Sequence, residues 1–135
     1  MAFFRTFIAL STLSLLLSLG ACAPKEERYT VYTVVAEMDE ALVLALTVGE
    51  ALTDACGKEA AGEVLAITRE GALAEDAHGV YEKAGRVRVK LAVGVLGRRE
   101  ADGIRAGSLR LRAGERLYLL GKTRIEGLCV RVRAV

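Results

Sequence analysis

Few residues of this chain could carry out chemistry, and they are not spaced as any catalytic motif. His78 is the only histidine, and it stands beside two carboxylates in the run Glu75-Asp76-Ala77-His78-Gly79. Imidazole and carboxylate groups are ordinary metal ligands, but no second histidine or spaced cysteine pair supports a metal site. The run Gly121-Lys122-Thr123 has the tail of a phosphate-binding loop, yet Arg116 stands where such a loop needs glycine. The sequence therefore predicts no catalytic residue, no metal and no cofactor.

Cys22 stands at the end of an N-terminal targeting segment. Arg5 supplies one positive charge, and the apolar run 7–19 follows it. This run is shorter than the roughly 20 apolar residues of a membrane-spanning helix and has the length found in signal peptides. It meets Leu19-Gly20-Ala21-Cys22, which resembles the lipobox of bacterial lipoprotein precursors. The resemblance implies cleavage before Cys22 and attachment of lipid to its thiol.

Two other fates of this segment stay open. Ala21-Cys22-Ala23 also fits ordinary secretory cleavage, but Pro24 would then be the first mature residue, where its ring is poorly accepted. An uncleaved signal anchor is the other alternative. We favour lipid attachment, which makes 1–21 a lipoprotein signal peptide and 22–28 a lipidated tether. Each buried CH₂ group contributes about 0.8 kcal/mol, so several acyl chains hold a domain on the exported side of the cell membrane.

Cys56 and Cys129 form an even pair of cysteines in a chain predicted to be exported. A disulfide between them is one interpretation, since disulfides persist in oxidising compartments. The alternative is that both are small hydrophobic residues with free thiols. Their spacing does not decide between the two.

The two halves of the chain after the targeting segment carry opposite charge. Residues 23–82 hold 13 acidic and 4 basic side chains, whereas residues 83–135 hold 4 acidic and 14 basic ones. Several cations of the second half recur on alternate residues of predicted strands, namely Arg86, Arg88, Lys90, Arg110, Arg112, Arg131 and Arg133. If those strands are neighbours, the cations form a face that suits anionic lipid headgroups or an anionic polymer. The alternative, which we favour, is that the halves interleave and neutralise each other.

Strands dominate the predicted secondary structure, with segments at 29–36, 62–68, 87–95, 104–112, 115–120 and 123–135. Alternation is strictest in 87–95, where aliphatic residues point one way while basic residues point the other. Asp39 is placed to cap a short helix that ends at Gly49, although its apolar residues also fit a buried strand. The polar, glycine- and alanine-rich segment 70–85 is predicted to be a long loop, and 97–103 a turn.

An internal repeat relates two segments, at about 49–68 and 114–133. Gly49-Glu50-Ala51-Leu52 recurs as Gly114-Glu115-Arg116-Leu117, and Gly62 recurs as Gly127. Coincidence among common residues is the alternative to a true repeat. We predict a single β-rich domain at 29–135 that is mainly β (β-dominated α+β). Its expected architecture is a small duplicated β-barrel or sandwich with one short helix.

Several short motifs resemble the domain-of-unknown-function 4330 family of bacterial membrane-anchored proteins. They are Val48-Gly49-Glu50, Gly62-Glu63-Val64-Leu65, the basic strand from Arg86 to Leu91, and the stretch from Gly114 through Gly127. The resemblance implies one domain that covers nearly all of 29–135. That family has no assigned activity, so the resemblance implies neither a substrate nor functional residues.

The function expected from the sequence is that of a membrane-anchored exported lipoprotein with a non-enzymatic interaction domain of the cell envelope. Its expected partners are membrane lipid, through the acylated Cys22, and another envelope protein or an anionic polymer. Nucleic acid is not expected, because an exported lipoprotein rarely meets it and residues 22–135 offer only four tyrosines for stacking. The alternative is a small envelope enzyme with its site in 70–85.

Overall fold

Strands make up most of Glu26–Val135, the part of the chain that the computed structural model describes. The elements are β1 (Glu27–Asp39), α1 (Glu40–Val43), β2 (Ala51–Asp54), β3 (Ala60–Asp76), β4 (Gly79–Glu100), β5 (Gly103–Ala106), β6 (Leu109–Leu111), β7 (Arg116–Leu120) and β8 (Arg124–Ala134). The predicted fold class, mainly β with one short helix, is confirmed.

All of the strand pairings in this sheet are antiparallel. The strand order is β1-β8-β7-β2-β3-β4-β5-β6, and β1 also pairs with β4. Six strands, β1, β8, β7, β2, β3 and β4, thus close into a ring, and the β5–β6 hairpin extends from β4. A closed ring leaves none of those six strands as an open edge along its paired length.

The interior of the ring holds an aliphatic core that β1 and β4 supply in large part. On β4, Val89, Leu91 and Val93 are fully buried, whereas Arg88 and Lys90 between them are exposed. The period-2 alternation predicted for 87–95 is therefore confirmed, with the aliphatic side chains inside.

The two segments of the repeat have the same local backbone structure. The N–H of Gly49 donates to the carbonyl of Val64 at 2.8 Å, and the N–H of Gly114 donates to the carbonyl of Cys129 at 2.7 Å. Gly49 and Gly114 have φ angles of 91° and 92°, a conformation that favours glycine. The ring has a matching internal symmetry. If β1 is exchanged with β4, β2 with β7 and β3 with β8, each strand keeps the same neighbours in the ring.

The long loop predicted for 70–85 is wrong. β3 continues to Asp76 and β4 begins at Gly79, so the segment is a two-stranded hairpin. Its pairing continues through Leu73 opposite Glu82 after a register shift. Most of its side chains are exposed on both faces. Because neither face is covered, the sequence has no apolar alternation to mark the strands.

The predicted helix exists, but it is shorter than expected. It spans Glu40–Val43, whereas the prediction placed its end at Gly49. Asp39 occupies the N-cap position with an extended backbone, but its side chain makes no capping hydrogen bond. Its carboxylate accepts a hydrogen bond from Arg86 instead, at 2.7 Å. Within Glu26–Val135, no helix has both the length and the apolar character needed to cross a membrane.

The alternation of β8 changes face at a bulge. β1 pairs Val34 with Cys129 and Thr33 with Arg131, so Val130 has no partner on β1. Cys129 is therefore buried, while Val130 is 42 % exposed. The extra residue at the bulge shifts the alternation of β8 by one position, so the two faces of the strand exchange beyond it.

The segment 104–112 also differs from the prediction of one strand. It forms β5 and β6, which are joined at Gly107, where φ is 58°. The turn predicted for 97–103 is shorter than expected, because β4 runs to Glu100 and β5 begins at Gly103. This hairpin packs beside the start of β1 and helps to form the site described next.

Candidate anion-binding site

Arg86 lies in an ion-pair network, so its charge is neutralised by neighbours. Its Nη1 is 2.7 Å from Oδ1 of Asp39, and its Nε is 3.3 Å from Oε1 of Glu37. Lys83 Nζ is 3.1 Å from the same Glu37 oxygen. Hydrogen bonds from Lys83, and to a smaller extent from Arg86, lower the pKa of Glu37. The hydrogen bonds that Arg86 donates to Asp39 and Glu37 raise the pKa of Arg86. These groups are largely exposed, so the network contributes little to stability.

Arg110 and Arg112 are also in ion pairs. Arg110 Nη1 lies 3.3 Å from Oδ2 of Asp102, and Arg112 Nη2 lies 3.6 Å from Oε2 of Glu115. Together with Arg86, three of the seven cations considered in the sequence analysis thus lie within 4 Å of an acid. For these three, acidic and basic side chains do interleave.

The other four cations lie on the outer face of β4 and β8, the two strands that flank β1. Arg88, Lys90, Arg131 and Arg133 form no ion pair with any residue that the structure describes. Arg88 stands opposite Glu37 across the β1–β4 ladder, so an acid faces it. The remaining three surround the outer face of β1, two of them on β8 and one on β4.

The two ends of the β1–β4 ladder carry opposite charge. The ladder runs from the pair Glu27 and Arg98 at one end to the pair Asp39 and Arg86 at the other. At roughly 3.3 Å per residue, these two ends are about 40 Å apart. The tether end comprises 26–30, 95–112 and 132–135 and holds 7 basic and 4 acidic side chains, a balance of +3. The far end comprises 37–43 and 69–88 and holds 4 basic and 7 acidic side chains, a balance of −3.

A cleft of about 680 Å³ opens at the tether end. Its floor is mostly apolar, with Thr30, Ile104, Leu111 and Val132 among its residues, and its rim carries Arg28, Arg99 and Arg112. Arg28 comes from the start of β1, Arg99 from the end of β4 and Arg112 from the residue after β6. We call this cleft the basic cleft.

Gly97 allows the floor of the basic cleft to close tightly. A Cβ atom at this position would lie 2.5 Å from Cγ2 of Ile104 and 3.2 Å from Oγ1 of Thr30. Thr30 is fully buried, and its hydroxyl donates to the carbonyl of Arg28 at 3.1 Å. A side chain at 97 would therefore push β5 away from β1 and open the floor.

The charge of the basic cleft is positive. Arg28 and Arg99 form no ion pair within Glu26–Val135. Glu100 also lines the cleft, but its Oε1 lies 3.1 Å from Nε of Arg105, which neutralises it. Guanidinium groups donate paired hydrogen bonds to phosphate and carboxylate oxygens. The arrangement is therefore suited to binding an anionic group.

A second cleft, of about 400 Å³, surrounds Asp54. Asp54 is 8 % exposed, and its carboxylate accepts hydrogen bonds from the Lys58 N–H at 3.0 Å and the Ser108 hydroxyl at 2.9 Å. These bonds, led by the one from Lys58, lower the pKa of Asp54. They tie the turn after β2 to the turn between β5 and β6, which is a structural role.

The structure places the two cysteines of the candidate disulfide in different environments. Cys56 is exposed in the turn after β2, Cys129 is buried in β8, and both thiols are free. The disulfide considered in the sequence analysis is therefore not formed in this structure. Burial raises the pKa of Cys129. Cys129 occupies the position that Val64 has in the first repeat segment, which is that of a core residue. Cys22 lies outside the described residues.

His78 lies at the tip of the β3–β4 hairpin. Its backbone N–H donates to Oδ1 of Asp76 at 2.7 Å, which is a turn interaction. Among residues 26–135, no three histidine, cysteine, aspartate or glutamate side chains come together as metal ligands would. Nothing observed at this hairpin favours the enzyme considered in the sequence analysis.

Sequence reasoning identified only one of the three cleft arginines. Arg112 was part of the predicted cationic face, but Arg28 was assigned to the tether and Arg99 to a turn. Their proximity depends on the β1–β4 register, which no local pattern of the sequence reveals. One signal in the sequence bears on Arg28. The Tyr- and Val-rich strand begins directly after it, so Arg28 is placed at the start of that strand.

No family model, curated protein or solved structure matches this chain. The resemblance to the domain-of-unknown-function 4330 family therefore stays a prediction. The proposals below depend on the geometry of the described residues and on the targeting segment of the sequence.

Proposed function

We propose that this chain is a lipid-anchored, exported protein of the cell envelope whose β-rich domain is a non-enzymatic interaction module. In this proposal the tether end of the domain binds an anionic membrane surface, and the far end faces away toward an envelope partner. The observation that carries the proposal is the charge of the two ends, +3 at the end where the tether enters and −3 at the other.

The tether is short enough to keep the basic end close to the membrane. Glu27, the first residue of β1, is five positions after the proposed lipid attachment at Cys22. Fully extended, five residues span at most about 18 Å, which is roughly two screening lengths at physiological salt. A tether of this length lets the tether end approach to within one screening length of the surface, where the surface potential acts, whereas the far end lies about 40 Å beyond it along β1.

The charge difference is large enough to orient the domain. Near an anionic leaflet each Lys or Arg contributes about 1 kcal/mol, so a balance of +3 gives at most about 3 kcal/mol in favour of this orientation. If the domain lay down on the surface, its acidic far end would be repelled. The acyl chains supply the attachment, and the charges decide which end faces the lipid.

A fluorescence depth measurement on the reconstituted acylated protein tests this proposal. In a Cys56→Ser background, a dye is attached either at Ala101→Cys in the tether end or at His78→Cys in the far end. We expect the dye at 101 to lie much nearer the bilayer than the dye at 78 in vesicles containing phosphatidylglycerol. In pure phosphatidylcholine, or in high salt, the difference should shrink.

Charge-reversal variants supply the matched control. Arg98→Glu with Arg133→Glu changes the tether end and should abolish the oriented state. Arg69→Glu with Arg124→Glu makes the same change of net charge on exposed arginines away from the tether end and should preserve it. If the depths of the two dyes in the unchanged protein do not depend on lipid charge or on salt, the proposal is refuted.

A further inference from the structure

We propose that the basic cleft binds a phosphate-bearing amphiphile, with the phosphate on its arginine rim and the apolar chain on its floor. The choice of a lipid-like ligand rests on the proposed function, since the tether would hold this cleft beside a membrane. The anion-binding chemistry of the cleft rests on the structure of the described residues.

Three arginines from three separate parts of the chain line one space of about 680 Å³. Arg28 and Arg99 have no acidic partner within Glu26–Val135, and Arg112 has one contact, at 3.6 Å, with Glu115. The one acid of the lining, Glu100, is held by Arg105. Guanidinium groups keep their charge at every ordinary pH, so this rim attracts a bound anion, and a phosphate can accept from more than one of them.

The floor distinguishes an amphiphile from a free phosphate. Leu111 is buried, while Ile104 and Val132 are partly buried and pack against the core. These side chains line the same cleft as the arginines, so a bare phosphate would leave the apolar part of the lining uncovered. The cleft volume is within the roughly 300–1,000 Å³ of small-molecule sites, which suits a headgroup with short acyl segments.

Exposed apolar residues continue this surface outside the cleft. Tyr29 and Leu96 are cross-strand partners on the outer face of β1 and β4, and both are exposed. Val135 is exposed beside them, and its N–H donates to the carbonyl of Tyr29 at 2.9 Å. The tether end thus combines cationic and exposed apolar groups, as surfaces that lie in a lipid interface do.

The test is a titration of the mature acylated protein, which begins at Cys22, in a nonionic detergent, and binding is followed through the backbone amide NMR signals. The probes are dihexanoyl phosphatidylglycerol, its soluble headgroup fragment glycerol phosphate, and uncharged dihexanoylglycerol. We expect dihexanoyl phosphatidylglycerol to shift the amides of Gly97, Ala101 and Gly103 saturably. Glycerol phosphate should bind at least about tenfold more weakly, since it leaves the floor uncovered.

Variants of the rim decide whether the arginines hold the phosphate. Arg99→Gln and Arg112→Gln should each weaken binding by about tenfold, the usual effect of losing a hydrogen bond to a charged group. Arg124→Gln, at an exposed arginine outside the cleft, should leave it unchanged. Unaltered amide signals elsewhere establish that each variant is folded.

Three outcomes would overturn the inference. Equal binding of dihexanoylglycerol would show that the rim does not select charge. Equal binding of glycerol phosphate would show that the cleft takes free phosphate and not an amphiphile. Shifts confined to residues outside the cleft would show that the ligand binds elsewhere. If the cleft fails to bind the lipid but the domain is still oriented on vesicles, only this inference is refuted. If the cleft binds the lipid but the domain is not oriented on vesicles, only the proposed function is refuted.

Discussion

The hydroxyl of Tyr32 satisfies a backbone carbonyl that the sheet leaves without a partner. It donates to the carbonyl of Ala61 at 2.6 Å, and both residues are fully buried. The β2–β3 register pairs Ala60 and Gly62 with β2 but skips Ala61, and the β3–β4 pairing begins only beyond it. A buried carbonyl without a donor is costly, so Tyr32 should be the most sensitive hydroxyl of the core.

Tyr32→Phe keeps the ring and removes only this donor. The expected loss in the free energy of unfolding is about 1–3 kcal/mol, the cost of leaving one buried carbonyl unsatisfied. A domain of this size has a total stability of about 5–15 kcal/mol, so the change is easily measured. Thermal unfolding should begin at least about 4 °C lower.

Urea unfolding followed by circular dichroism measures this loss. Tyr118→Phe is the matched control, because Tyr118 is 48 % exposed and lies on the outside of β7. The control should stay within about 0.5 kcal/mol of the unchanged protein. Equal unfolding midpoints for Tyr32→Phe and Tyr118→Phe would refute the assignment of the buried hydrogen bond.

The same residue predicts an alkaline limit to stability. Burial, and then the nearby Cys129, raises the pKa of Tyr32 above its ordinary value of 10.0. Between pH 10.0 and this raised pKa, the Tyr32 hydroxyl is ionised in the unfolded chain but stays protonated in the folded chain. Stability is therefore fully present below pH 10 and falls as the pH rises above it, by up to about 1.4 kcal/mol per pH unit. Tyr32→Phe should lack this contribution, and an unchanged alkaline slope in that variant would contradict it.

Three further predictions concern a thiol, a carboxylate and a glycine. In the native protein an alkylating reagent should modify Cys56 and leave Cys129 unmodified, and Cys129→Val should change stability by less than about 1.5 kcal/mol; finding a disulfide by mass spectrometry would contradict this. Hydrogen bonds lower the pKa of Asp54, so its stabilisation is present above its ordinary value of 3.8 and is lost as the pH falls; Asp54→Asn should therefore unfold with a flatter acid-side dependence, and an identical acid profile would refute this. Gly62 has a φ of 121° and a Cβ there would collide with a β4 carbonyl oxygen, whereas Gly79 has a φ of 122° and open space; Gly62→Ala should thus cost at least about 1 kcal/mol more than Gly79→Ala in urea unfolding, and equal losses would count against the close approach.

The predictions from sequence succeeded where a strand has one buried face. The alternation in 87–95 predicted the core side chains of β4, because burial on one side imposes a period of two. The Tyr- and Val-rich segment predicted β1 for the same reason, although β1 extends further at both ends. The repeat aligned Gly49 with Gly114, and both have a positive φ and donate an equivalent backbone hydrogen bond.

The failures occurred where no face is buried or where a ladder is irregular. The hairpin at 70–85 is exposed on both sides, so nothing in its composition separates it from a loop. The bulge opposite Thr33 reverses the faces of β8, and one inserted residue leaves no local signal. Arg28 and Arg99 come together only through the β1–β4 register, so the basic cleft required the tertiary structure.

The central claim is the lipid attachment that places the basic end of the domain at a membrane. Intact-mass and peptide mass spectrometry of the mature protein from bacterial membranes tests it most directly. We predict that the first residue is Cys22 and that it carries a diacylglyceryl group, while a Cys22→Ser variant keeps residues 1–21 attached. An unmodified Cys22, or a leader still attached in the unchanged protein, would contradict the account.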